Sequence, residues 1–129
     1  MSGETEERVE TLAIMAHTMN QAWCFVTEGD ATPWDEATEE QRESMRRGVR
    51  YFLENPHASP EAQHNVWLET KAAQGWSWGP EKNEQDKTHP CFLPYNQLPK
   101  RQQAKDALFQ FVLRNLLEVF KEIDGTQSA

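Results

Sequence analysis

Apolar residues recur at intervals of three and four along most of this chain, and the interruptions fall where helix ends belong. Val9, Leu12, Ala13, Ala16, Met19 and Trp23 form one such face, so a first helix is expected from about Glu6 to Thr27. "TEGDATPW" ends it through Gly29, Asp30 and Pro33. A second helix begins near Thr38, because Thr38 and Gln41 have the capping-box spacing. It offers Met45, Val49, Phe52 and Leu53 to a core and stops at "ENPHASP". Gly48 inside it costs about 1 kcal/mol against alanine, which points to close approach by another helix. The third helix has Ser59 as N-cap, Pro60 at its first position and Gly75 just past its end. In the last, from about Pro99 to Ile123, residues Leu108, Phe109, Phe111, Val112, Leu113, Leu116, Val119, Phe120 and Ile123 cover half the circumference. An arc that wide suits a central helix packed by several neighbours, or a homodimer contact.

Between the last two helices lies "GWSWGPEKNEQDKTHPCFLPY", Gly75 to Tyr95, which neither helix nor strand would choose. Structureless loops of this length are uncommon inside compact domains and are usually functional or disordered. Trp76, Trp78, Phe92, Leu93 and Tyr95 argue against disorder, and the segment also admits a short β-hairpin. The expected fold is therefore mainly α, a small bundle of about four helices with this long loop inserted. At 129 residues the chain is one domain, with a core from about residue 9 to 123. Its ends, Met1–Thr5 and Thr126–Ala129, are expected to fray.

Composition narrows the function. A net charge of −8 disfavours a nucleic-acid backbone as partner. A mean hydropathy of −0.84 and the lack of a long apolar run exclude a helical membrane span. The acidic start, "MSGETEERVET", does not resemble a signal peptide. Two cysteines, Cys24 and Cys91, make no secreted disulfide framework, so a cytoplasmic location with reduced thiols is expected.

Polar residues also interrupt the helical faces. His17, Asn20 and Cys24 share one side of the first helix, and His64, Trp67 and Lys71 share one side of the third. Each stripe reads either as satisfied polar groups at the edge of a core or as the wall of a site. Lys105, followed by Asp106, either snorkels or faces a ligand. In the loop, Lys82, Lys87, Thr88 and His89 add cationic and hydrogen-bonding groups to tryptophan planes. Aromatic walls with a few placed donors describe a pocket for a flat ligand with an anionic end. Catalysis is not expected: Cys24 and Cys91 meet His17, His64 or His89 only on paper. Metal and cofactor sites are not expected either, since His57 and His64 lack cysteines or a close second histidine.

These residues occur in an order that can be matched. His17 and Asn20, Pro33-Trp34, His64 and Trp67, "GWSWG" at Gly75–Gly79, "KTHP" at Lys87–Pro90, "PYNQLP" at Pro94–Pro99 and Lys105-Asp106 together resemble a RyR domain, over roughly residues 9 to 115. This is the repeat found in the cytoplasmic part of ryanodine receptor channels and, singly, in bacterial and phage proteins. Gln21 and Trp23 depart from the basic residue and tyrosine of that pattern, and Trp78 stands where tyrosine is common.

The resemblance implies a module without established catalysis. It is associated with adenine nucleotides in the channels and with nucleotide-based defence signalling in microbes. A copy this short suggests sensing or sequestration of a nucleotide or cyclic-nucleotide messenger, as in phage anti-defence. The ligand would meet Trp34, Trp67, Trp76 or Trp78, hydrogen bonds from His17, Asn20, His64, Thr88 and His89, and Lys82, Lys87 or Lys105 at the phosphate. The alternative is a protein-interaction domain that uses the apolar face of the last helix.

Overall fold

A computed structural model of the chain describes residues 3–29 and 31–128; the side chains of residues 3, 4, 28 and 124–128 lie outside the described set. The fraying expected at Met1–Ser2 and at Ala129 falls outside it too, as does Asp30. Four helices dominate: α1 (Gly3–Glu28), α2 (Glu39–Glu54), α3 (Pro60–Ala73) and α4 (Lys100–Ser128). The backbone is thus helical through most of both terminal segments. Single 3-10 turns at Trp34–Glu36 and Tyr95–Gln97 bring the chain into α2 and α4.

Local chemistry sets the boundaries. Thr38 Oγ1 accepts from Gln41 N–H at 3.1 Å while the Gln41 side chain accepts from Thr38 N–H at 2.9 Å, a complete capping box. Ser59 caps α3 by accepting from Ala62 N–H at 3.1 Å, ahead of Pro60. At the far end of α3, Gly75 takes φ 91°, and Trp76 N–H reaches back to the Lys71 carbonyl at 2.9 Å. Gly75 N–H bonds the Ala72 carbonyl at 3.0 Å, which completes a Schellman turn.

The helices form a ring in which α1 packs on α2 and α4, and α3 packs on the same two. Arg46 pairs with Glu10 at 2.7 Å and Arg50 with Glu6 at 3.4 Å, so α1 and α2 run antiparallel. The bond from Arg46 also holds the Glu10 carboxyl below its ordinary range. The core lies toward one end of the ring: Val9, Leu12, Ala13, Ala16, Val49, Phe52 and Leu113 are buried, with Trp34, Met45, Leu53, Phe109 and Leu116 packed around them. Gly48 is indeed a close approach. A Cβ there would lie 3.3 Å from Phe109 Cζ, and Gln63 Nε2 donates to the Gly48 carbonyl at 3.0 Å.

Two expectations meet a different arrangement. The last helix is not central: among the described residues it packs chiefly on α1 and α3, touches α2 through Phe109 and Arg114, and leaves Phe111, Val119 and Ile123 60%, 49% and 48% exposed. The short β element between α3 and α4 is a parallel pair, β1 (Ser77–Trp78) with β2 (Thr88–His89), rather than a hairpin. The chain first doubles back through an antiparallel bridge between Asn83 and Thr88, so that β2 comes alongside β1 in the same direction. Among the described residues no helix is long and apolar enough to cross a membrane.

Candidate functional site

Beyond the apolar core the ring lines a half-open cavity of about 340 Å³. Each helix supplies one stripe to it at helical spacing: His17, Asn20, Gln21 and Cys24 from α1; Gln41, Ser44, Met45 and Gly48 from α2; His64, Trp67 and Lys71 from α3; Gln102, Lys105, Asp106 and Phe109 from α4. The site therefore lies toward the C-terminal end of α1 and the N-terminal ends of α2 and α4, with α3 contributing from His64 to Lys71. The loop contributes Trp76, Lys82, His89 and Cys91.

A continuous aromatic series builds one wall. His64 stacks on Trp67 with centroids 5.6 Å apart, Trp67 meets His89 edge-on at 5.0 Å, and His89 meets Trp76 at 6.2 Å. Backbone contacts fix the histidines. His64 Nε2 donates to the Leu93 carbonyl at 2.8 Å, which leaves Nδ1 bare, 3.7 Å from Asp106 Oδ2. Burial lowers the His64 pKa and raises that of Asp106 to about 7, a rise that the neighbouring Lys105 ammonium only partly counters. A neutral His64 facing a carboxyl that keeps its proton up to near neutral pH is the arrangement this geometry accommodates. His89 Nδ1 accepts from Cys91 N–H at 3.0 Å, and burial together with the charges of Lys82, Lys105 and Lys71 depresses its pKa to about 3. His17 Nε2 donates to the Thr32 carbonyl at 2.7 Å and so pins the α1–α2 connection.

The cations differ in their surroundings. Lys82 is half exposed and lies 3.6 Å from Glu84, and Lys105 Nζ is 3.8 Å from Cys24 Sγ. Lys71 is buried, its ammonium 5.2 Å from the ring centre of Trp76. Two polar atoms on lining residues, Trp76 Nε1 and Gln102 Oε1, are buried without a hydrogen-bond partner.

Of the residues singled out from sequence, His17, Asn20, His64, Trp67, Trp76, Lys82, His89 and Lys105 line this cavity. Trp34, Trp78, Lys87 and Thr88 do not. Trp34 packs against the core, edge-on to His17 at 5.5 Å and 5.7 Å beneath the guanidinium groups of Arg42 and Arg46. Trp78 is 53% exposed. Lys87, at φ 55°, clamps the loop by donating to the Gln74 carbonyl at 2.7 Å and to Glu40 at 3.1 Å. Thr88 donates to the Glu81 carbonyl at 3.1 Å. Sequence reasoning missed the α2 stripe, Gln102 and the part played by Lys71, although the spacing of Lys71 from His64 and Trp67 had put it on the right face. Among the described residues no three His, Cys, Asp or Glu side chains gather as metal ligands would.

Residues 54–121, more than half of the chain and all of α3 and the loop with most of α4, match the family model of the RyR domain. The ordered positions from His64 to Asp106 fall within this match, while His17, Asn20, Pro33 and Trp34 precede it, and the chain belongs to the RyR domain family.

Proposed function

We propose that this RyR domain is a non-catalytic binding module for a small nucleotide-derived ligand, acting as a sensor or a sink for such a messenger. The observation that supports this most is one cavity that combines indole walls, Trp67 and Trp76, with two buried polar atoms awaiting partners, Trp76 Nε1 and Gln102 Oε1. A buried polar atom without a partner costs about 1–3 kcal/mol, and a ligand with a matching acceptor and donor recovers it. Charge points the same way. In a chain of net charge −8, the described residues lining the cavity include three lysines, Lys71, Lys82 and Lys105, against one carboxyl, Asp106. Such a positive pocket in an acidic protein draws a small anion rather than a polyanionic strand.

The non-catalytic part of the reading is supported by His89. The Cys91 N–H occupies the His89 Nδ1 that the neighbouring thiol would need as base. A second reading has its own observation: the exposed Phe111, Val119 and Ile123 on α4 suit a protein partner.

A thermal-shift screen separates the two. The panel holds adenine and guanine nucleotides, ADP-ribose and its cyclic forms, and cyclic di- and trinucleotides. A ligand at 100 times its Kd stabilises the fold by about 2.7 kcal/mol, a shift that a melt resolves. A flat panel, together with a mass that grows with protein concentration in light scattering, would replace the ligand reading with the interaction reading.

A further inference from the structure

With the cavity taken as a ligand site, its lysines differ in their capacity to hold the ligand's charge. We infer that Lys71 is the anion anchor of the cavity. With the indole N–H of Trp76, it selects a ligand bearing a compact oxyanion of the phosphate-monoester class on a flat heteroaromatic body.

Lysines at helix ends normally carry their ammonium out to water along an apolar surface. Lys71, in the last turn of α3, does not: the whole residue is 6% exposed. Other lysines around the site have acceptors near at hand. Lys87 has Glu40 at 3.1 Å and the Gln74 carbonyl at 2.7 Å, while Lys82 has Glu84 at 3.6 Å. Among the described residues the Lys71 ammonium forms no ion pair and donates no hydrogen bond; it lies over the Trp76 ring at 5.2 Å. Contact with an aromatic face offsets only part of the loss of water around an ammonium. Burial lowers the Lys71 pKa; the charges of Lys82 and Lys87 add to that effect, and the carboxylates of Glu84 and Glu40 oppose it.

On the ring that this cation overlies, Trp76 Nε1 is a second buried donor without an acceptor among the described residues. The Schellman turn makes the pair obligatory neighbours, since Trp76 N–H is bonded to the Lys71 carbonyl at 2.9 Å. Two adjacent donors, one charged and one neutral, are matched by the several acceptor oxygens of an oxyanion. Size restricts the remainder of the ligand. About 340 Å³ stands at the lower end of ligand clefts, roughly 300–1,000 Å³, which suits a mononucleotide rather than a dinucleotide.

The test compares the four common ribonucleoside 5′-monophosphates with their parent nucleosides, by thermal shift and calorimetry, on wild-type protein and on Lys71→Met. At least one monophosphate is expected to bind wild type ten-fold or more tightly than its nucleoside, and Lys71→Met to abolish that preference. Lys71→Met without ligand is expected to melt no lower than wild type, because it removes a buried charge and keeps the stem. Nucleosides binding wild type as tightly as monophosphates would overturn the anchor and leave the cavity reading standing. A Lys71→Met protein that keeps the phosphate preference would do the same. Wild type that binds neither series would overturn the anchor, the cavity reading being decided by the wider panel above, and the wild-type comparison decides the matter even if the variant fails to fold.

Discussion

The ammonium of Lys71 sits 5.2 Å from the ring centre of Trp76, the residue whose own N–H closes a 2.9 Å bond onto the Lys71 carbonyl. Gly75 joins the two at φ 91°, a conformation in which a Cβ meets the carbonyl oxygen that follows. Space is not the obstacle, since the nearest atom to a Cβ at that position is Lys87 Cδ at an ordinary 3.7 Å.

Gly75→Ala is therefore expected to cost about 1–2 kcal/mol through backbone conformation alone. That amounts to a Tm lowered by roughly 3–8 °C in a domain this size. Tryptophan emission should move as well, because Trp76 is buried against the turn. An unchanged melt and an unchanged spectrum would mean that the turn does not depend on this glycine.

Gly79 presents the opposite case. Its φ is not in the left-handed region, but a Cβ would lie 2.5 Å from Thr88 Cβ, across the parallel pair that carries His89. Gly79→Ala should displace β2 and cost about 1–3 kcal/mol as an overpacking change. In a Thr88→Gly background the same substitution should cost much less, giving a coupling on the order of 1 kcal/mol in a double-mutant cycle. Purely additive effects would place the strain elsewhere.

These glycines also mark how far the sequence could be read. The caps at Thr38, Ser59 and Gly75 are chemistry between residues a few positions apart, so the sequence contains the whole interaction. The stripes His17–Asn20–Cys24 and His64–Trp67–Lys71 were legible for the same reason, since helical periodicity alone puts their members on one side. Which side of α4 meets neighbours was not, because an apolar arc does not say how many helices cover it; Phe111 stayed outside. Gln41 reads from sequence only as the capping-box partner of Thr38, and Ser44 as one more polar position, yet both face the cavity once α3 packs alongside. Trp78, Lys87 and Thr88 were grouped with the site as members of the Trp-rich loop, and Trp34 through the Pro33-Trp34 element of the RyR resemblance. Their places are set by long-range contacts, such as Lys87 with Glu40, that no local pattern contains.

A buried amide pair is another feature without a sequence signal. Gln110 Nε2 donates to the Ala58 carbonyl at 3.1 Å and lies 3.3 Å from Gln63 Oε1, while Gln63 Nε2 donates to the Gly48 carbonyl at 3.0 Å. Through these bonds α4 is tied to the entry of α3, and α3 to α2. Gln110→Leu keeps the volume but strands acceptors that are out of water, so about 1–3 kcal/mol of stability should be lost in denaturant unfolding. Gln110→Glu should be at least as damaging near neutral pH, since it adds a buried charge beside carbonyl oxygens. Wild-type stability in either variant would show that water takes over the bonds.

The carboxyl of Asp106 offers a test by pH. Its pKa rises to about 7 from an ordinary 3.8, chiefly through burial; His64 Nδ1 faces it at 3.7 Å and Lys105 is its neighbour in the chain. Between those two pH values the folded protein holds a proton that the unfolded chain has released. Asp106 thus contributes stability at low pH, which is lost as pH rises toward and through about 7. His89 acts in the opposite sense, because its depressed pKa of about 3 makes the unfolded chain take up the extra proton as pH falls below the ordinary 6.5. Between roughly pH 4 and 6.5 the two slopes oppose each other, so the wild-type profile alone hides both. Asp106→Asn isolates one of them. Relative to wild type, the variant should gain about 2–3 kcal/mol on going from roughly pH 5 to pH 8, measured by denaturant unfolding at each pH. Parallel profiles for the two proteins would mean that Asp106 ionises normally, and that the proton facing His64 comes from elsewhere.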